Sequence, residues 1–181
     1  MEADEPESFL MVIKETKRKI HMPAKTIPIP EGYHSVTPYL IIKDATKAIE
    51  FYKRAFGAKE IGRISMPDGK VGHAELQIGS SRIMLADEFP EWGHKSPITL
   101  GGSPIGLGLY VENVDDVFKK AISEGATTDK NMEVKDQFYG DRSGTVIDPF
   151  GHKWTISTHI EDVSFKEMQK RSDEMFIQHR S

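Results

Sequence analysis

The sequence contains no cysteine. Disulfides, thiolate metal sites and cysteine nucleophiles are thereby excluded, and the chain suits a reducing compartment. Long apolar runs are missing as well: the stretch from Phe9 to Ile13 falls far short of the roughly 20 residues that span a bilayer. The residues before it, Met1 to Glu7, are acidic where a secretory signal would be basic, so the chain reads as cytoplasmic and soluble, with no membrane contact. There is no large charge of one sign. With 28 acidic and 24 basic residues the net charge is -4, which gives no pull toward nucleic acid. No Gly-x-Gly-x-x-Gly follows a strand, and neither a Walker sequence nor Gly-x-Ser-x-Gly is present, so dinucleotide, nucleotide and serine-hydrolase readings have no support. What is present, 38% hydrophobic and 29% charged residues, is enough to bury a core in water and excludes a disordered or fibrous chain.

The organisation is an extension, a repeated core and a tail. Residues 1–33 carry Pro6, Pro23, Pro28 and Pro30 and the basic cluster Lys14, Lys17, Arg18 and Lys19. A short amphipathic helix is expected over 8–20 and an extended segment from Pro23 to Pro30. Thr37 to Lys43 then reads as a strand. Asp44 caps a helix with apolar Ala45, Ala48, Ile49, Tyr52 and Phe56, which Gly57 ends. The same grammar returns with the strand Ile105 to Val111, the cap Asn113, the stripe Val114, Val117, Phe118, Ala121 and Ile122, and Gly125. Gly72 to Gly79 matches Gly144 to Gly151 in glycine spacing, and each is followed by a strand, Arg82 to Ala86 and Lys153 to Thr158. Two copies of strand–helix–strand–strand–strand, offset by about 70 residues, fit this pattern. The predicted core is therefore 34–160, made of modules 34–103 and 104–160, with Asp87 to Pro104 as a linker or lid. The tail, 161–181, opens with Ser164-x-x-Glu167, a capping box, and is expected to form a helix packed on the core.

The stretches Thr37–Asp44, Ala48–Tyr52, Phe56–Ala58, Leu107–Asn113 and Asp148–Trp154 resemble the vicinal oxygen chelate superfamily, which includes glyoxalase I, ring-cleaving dioxygenases and bleomycin and fosfomycin resistance proteins. His73–Leu76, Met84–Pro90 and Tyr139–Arg142 resemble its PhnB-like subgroup. The resemblance implies an α+β fold of two paired βαβββ modules, curved mixed sheets around a ligand cavity with helices on the convex faces, and a homodimer. It also implies a divalent metal held by two histidines and two glutamates. Those four positions fall on Thr37, Gly106, Met84 (or Ile83, one residue earlier) and Thr155, and none is a good ligand for a metal that prefers nitrogen and carboxylate donors. No cofactor and no metal are therefore expected.

Other residues offer chemistry. Strand alternation puts His73, Glu75 and Gln77 on one face and Ala74, Leu76 and Ile78 on the other. His73 and Glu75 suit metal binding (with His159), acid–base work or ligand orientation, against a solvent-facing polar strand. Around Gln137 to Gly144, Phe138 and Tyr139 suit a planar ligand and Arg142 an anionic group, against a plain glycine-rich hairpin entry. Trp92 suits a cavity mouth or a dimer interface, Trp154 the core, and His152 a structural turn. The expectation is a protein binding a small aromatic or amphipathic molecule without the superfamily metal, through Tyr39, His73, Glu75, Met84, Tyr110, Phe138, Tyr139, Arg142 and Thr155. The alternatives are a glyoxalase-type lyase or isomerase using His73 and Glu75, and an interaction module whose extension and tail bind another protein.

Overall fold

The computed structural model describes residues 26–178. The helix expected over 8–20 and its basic cluster lie outside the described residues. From Thr26 to Pro38 the chain runs in bends and turns, one of them closed by Tyr33 N–H donating to the Pro30 carbonyl at 3.1 Å.

Eight strands and four helices follow, in the order β1 (Tyr39–Ile42), α1 (Ala45–Phe56), β2 (Lys59–Ser65), β3 (Val71–Ile78), β4 (Ser81–Asp87), α2 (Pro97–Leu100), β5 (Gly106–Tyr110), α3 (Val114–Ser123), β6 (Lys135–Asp136), β7 (Asp141–Ile147), β8 (Lys153–His159) and α4 (Phe165–Gln178). They form two mixed four-stranded sheets, β1-β4-β3-β2 and β5-β8-β7-β6, in which the first strand pairs in parallel with the last. The fold is α+β, with the helices packed alongside open sheets, and the repeated order is the one the sequence pattern predicts.

Each long helix starts where its sequence says it should. The Asp44 carboxylate accepts from Lys47 N–H at 3.2 Å, and Asp44 is the single non-glycine at positive φ (70°) among the described residues. Asn113 accepts from Asp116 N–H at 3.1 Å. The last strand of each sheet then ties the helix start down. Buried Asp87 accepts from Ala45 N–H at 2.9 Å and Val71 N–H at 2.7 Å, and at the matching place in β8 the Thr158 hydroxyl accepts from Val114 N–H at 2.9 Å.

Register gives the true correspondence between the copies. Tyr39 pairs with Met84 and Met84 with Glu75, as Gly108 pairs with Thr155 and Thr155 with Thr145. Met84 and Thr155 are thus equivalent, and Ile83 is buried instead. The glycine match needs correction. Gly144 faces Ile156 as Ala74 faces Leu85, so its counterpart is Ala74 and not Gly72. The turn joining β7 to β8 (148–152) is longer than that joining β3 to β4 (79–80), which shifts the glycines out of phase.

One apolar core spans both copies. Leu40, Ile42 and Trp154 lie in it, whereas Ile122, placed on the buried stripe of α3 by its spacing, is exposed. Helix α4 forms as expected, but none of its described side chains is buried. Arg171 anchors it, reaching Glu161 at 2.7 and 2.8 Å and the Phe138 carbonyl at 3.3 Å.

Candidate functional site

Strand alternation turns Ala74, Leu76 and Ile78 into the core and leaves His73, Glu75 and Gln77 on the face opposite the helices. On that open face a chain of contacts crosses three strands. The Tyr39 hydroxyl lies 3.3 Å from His73 Nδ1, His73 Nε2 lies 3.4 Å from Glu75 Oε1, and Arg82 Nη1 donates to Glu75 Oε2 at 3.1 Å. Met84 stands in register between Tyr39 and Glu75. The segment 28–35 lies over the Glu75–Arg82 end of this row, leaving an open groove of about 610 Å³ lined by Pro28, Ile29, Tyr33, Glu75, Arg82 and Met84.

Arg82 carries the strap as well as the carboxylate. Its guanidinium sits 4.8 Å from the centre of the Tyr33 ring, a cation–π distance. Gly32 passes so close that a Cβ there would lie 2.7 Å from Arg82 Nε, and its φ of 81° favours glycine independently. The Tyr33 hydroxyl and Arg82 Nε are buried and complete no hydrogen bond of good geometry. The same hydroxyl is still close enough to Glu75 to be the largest influence holding its carboxyl below the usual carboxylate range, with His73 and Arg82 adding to the effect. Burial raises the Tyr39 phenol.

The second sheet has its own polar cluster. The Asp141 carboxylate, 4% exposed, accepts from the Tyr110 hydroxyl at 2.7 Å and meets His159 Nδ1 at 2.8 Å, while His159 Nε2 meets Asp162 at 3.0 Å. Asp141 raises both partners, the Tyr110 phenol and, with help from Asp162, the His159 imidazole. Thr155 is bonded to Thr145, hydroxyl to hydroxyl at 2.9 Å, and the Tyr139 hydroxyl to Ser143 at 3.2 Å. The Phe138 and Tyr139 rings meet edge to face at 5.2 Å.

The structure therefore brings Tyr39, His73, Glu75 and Met84 together on one sheet and places Tyr110 and Thr155 on the other, with Phe138 and Tyr139 in the turn that leads into β7. Arg142 is placed differently from the expectation. It alternates with Gly144 toward α3, where Asp115 receives both Nε and Nη2 at 2.8 Å and Asp136 receives Nη1 at 2.9 Å, so its guanidinium is committed to a structural pairing. His159 bonds within the second sheet and its following loop and does not join His73 and Glu75. Sequence reasoning missed Arg82, which reaches Glu75 across the β3–β4 hairpin, and Tyr33, which meets both only through the folded strap. It does not single out Asp141 either, although strand parity with Ser143 and Thr145 places it on the open face.

The superfamily's divalent metal does not fit the residues at its four positions. Thr37 spends its hydroxyl on the His34 carbonyl at 3.3 Å, Gly106 has no side chain, Met84 offers a soft thioether, and Thr155 is paired with Thr145. Among the described residues no group of three or more His, Asp or Glu side chains gathers at metal-binding spacing.

Comparison with known proteins agrees with this fold. Uncharacterized proteins from Mycobacterium bovis and Mycobacterium tuberculosis are 44% identical over 138 residues, 75% of this chain and 90% and 80% of theirs. A solved gene product of Arabidopsis thaliana is 27% identical with a TM-score of 0.55, covering 69% of this chain and 98% of its own. A Bacillus cereus PhnB protein, described as a putative 3-demethylubiquinone-9 3-methyltransferase, matches at 18% identity and a TM-score of 0.53, covering 69% and 98%. The fosfomycin resistance protein FosX of Listeria monocytogenes matches at 16% and 0.55, covering 75% and 97%. These last two similarities speak for the fold alone. The sequence model of the Glyoxalase/Bleomycin resistance protein/Dioxygenase superfamily matches residues 32–156, and the chain belongs to that superfamily.

Proposed function

We propose that the protein binds a small aromatic or amphipathic molecule on the open face of its first sheet and works there without the superfamily's divalent metal. The observation that carries this reading is the row Tyr39–His73–Glu75–Arg82, its Glu75–Arg82 end under the 28–35 strap and Met84 between its members. A carboxyl held below its usual range and paired with an arginine remains ionised and is a weak base, which suits a fixed hydrogen-bond acceptor better than proton abstraction. Tyr39 and Met84 offer apolar contact, and Arg82 takes the place first assigned to Arg142. Tyr110, Phe138, Tyr139 and Thr155 belong to a second wall on the other sheet. The same reading makes the protein a cytoplasmic homodimer, for which exposed Ile61 and Ile64 on β2, at the edge of the first sheet, supply apolar surface.

A glyoxalase-type lyase or isomerase is the second reading, and the continuous Tyr39–His73–Glu75 chain favours it as a proton path. Elemental analysis of protein purified without chelator separates the two. No stoichiometric nickel, zinc, iron or manganese is expected, and native mass spectrometry should show a small-molecule adduct that Tyr39→Ala loses. Stoichiometric metal that disappears in His73→Ala would sink the metal-free reading.

A further inference from the structure

A second pocket lies away from the Glu75–Arg82 pair. It measures about 280 Å³ and sits between β1 and the segment that leads through α2 into β5. Tyr39 and Ile41 form one wall, Pro97, Leu100 and Leu107 the other, and His152 closes it. Tyr39 is shared: its hydroxyl serves His73 on the open face, while the residue also lines this pocket.

His152 is the buried polar side chain in that lining. Its side chain is 8% exposed, yet its ring makes no hydrogen bond. Nδ1 is sealed beside Asp148 Oδ2 at 3.8 Å, too far to bond. The Asp148 carboxylate is already occupied by the Tyr52 hydroxyl at 2.7 Å, Trp154 Nε1 at 3.0 Å, and the backbone N–H groups of Phe150 and His152 at 2.9 Å. Burial lowers the His152 pKa, and the nearby carboxylate opposes this only in part, so the ring stays neutral near pH 7. A neutral imidazole has one N–H and one lone pair. Placing the N–H at Nδ1, facing the carboxylate, leaves Nε2 as an acceptor in a mostly apolar pocket. Nε2 has no hydrogen-bond partner within the described residues, and a ligand that donates to it gives it one.

We propose that this pocket binds a small, uncharged, single-ring molecule carrying a hydroxyl or N–H group, which donates to His152 Nε2 while its ring packs against Tyr39, Leu100 and Leu107. The volume suits one ring and is below that of most drug-sized sites, which start at about 300 Å³. Lys95 also lines the pocket and offers the competing possibility of an anionic ligand.

Phenol, toluene and benzoate distinguish these outcomes. Each is titrated into the full chain while the methyl resonances of Leu100 and Leu107 and the ring resonances of His73 and His152 are followed by NMR. Phenol is expected to saturate with a Kd on the order of 1 mM, appropriate to so few heavy atoms. Toluene, which lacks the donor, should bind about tenfold more weakly. The shifts should centre on His152 and the two leucines and leave His73 nearly still. His152→Phe should bring phenol down to the level of toluene. Because that position is buried, Leu100→Trp at the exposed rim provides an independent block and should abolish binding of both. Absence of saturable phenol binding, equal affinity for phenol and toluene, tighter binding of benzoate, or shifts centred on His73 would each overturn the proposal. None of these outcomes bears on the metal content that tests the open-face reading.

Discussion

His159 and His152 are displaced from the ordinary histidine range in opposite directions, and the two displacements give stability opposite dependences on pH. Hydrogen bonds to Asp141 and then to Asp162 raise His159, whereas burial lowers His152 against a weaker pull from Asp148. A raised group stabilises the fold fully below its unfolded value of about 6.5, and the contribution is lost as pH climbs through the folded value. For the depressed group the unfolded chain takes the proton first. His152 therefore has no effect above about 6.5 and weakens the fold as pH falls below it. Urea midpoints measured between about pH 5.5 and 8 should show His159→Gln least stable relative to the parent at the acid end, the gap closing toward the alkaline end. His152→Gln should gain on the parent as the solution is acidified. A pH-independent gap for His159→Gln would mean that the Asp141 contact does not hold the proton.

At the scale of elements, small residues under the helices set how closely α1 and α3 approach their sheets. Gly144 lies below α3, and a Cβ there would come within 2.8 Å of the Phe118 ring and 2.9 Å of Val134. Gly72, the partner suggested by glycine spacing, would press on the flexible Met66 side chain at 3.0 Å and meet the Ile64 carbonyl at an ordinary 3.6 Å. Gly144→Ala should therefore cost about 1–3 kcal/mol in chemical denaturation, as overpacking against a ring does, and Gly72→Ala markedly less. Equal costs would contradict the register that pairs Gly144 with Ile156. This contrast also marks what was legible in the sequence. Caps at Asp44 and Asn113, the stripes on α1 and, apart from exposed Ile122, on α3, and the parity of His73 and Glu75 are local patterns, and each of these folds as its spacing says. The side to which Arg142 turns is set by where β7 begins after the Gly140 turn, and its choice of Asp115 depends on how α3 lies across that strand. Tyr33 reaches Arg82 and Glu75 from a strap nearly fifty residues before Arg82 in the chain. Contacts of that kind leave no period in a sequence, so the sheet was readable while half of its polar site was not.

For the whole molecule, the decisive contact is the one that joins the two copies in a single apolar core. Tyr52 from α1 is fully buried, packs 5.4 Å from the Trp154 ring of the second copy, and donates its hydroxyl to Asp148 across a separation of 96 residues. Phe51 meets Phe150 at 6.2 Å beside it. A copy of some 60 to 70 residues has a marginal core by itself, so each depends on this junction for burial. Burial and the neighbouring carboxylate push the Tyr52 phenol well above its ordinary value, so it remains a donor throughout the accessible pH range. Tyr52→Phe keeps the ring packing and removes one of the four hydrogen bonds to Asp148, the other three coming from Trp154 Nε1 and the N–H groups of Phe150 and His152. A hydrogen bond to a charged acceptor contributes about 1.5–3 kcal/mol, and a loss of that size is expected. Because Trp154 stands at the junction and belongs to the second copy, its fluorescence and the far-ultraviolet circular dichroism of both sheets should still report one coincident transition at a lower midpoint. A split into two transitions in Tyr52→Phe would show that the copies fold separately and that the junction is a contact between domains. A single transition shifted to lower denaturant is what one core closed through Asp148 requires.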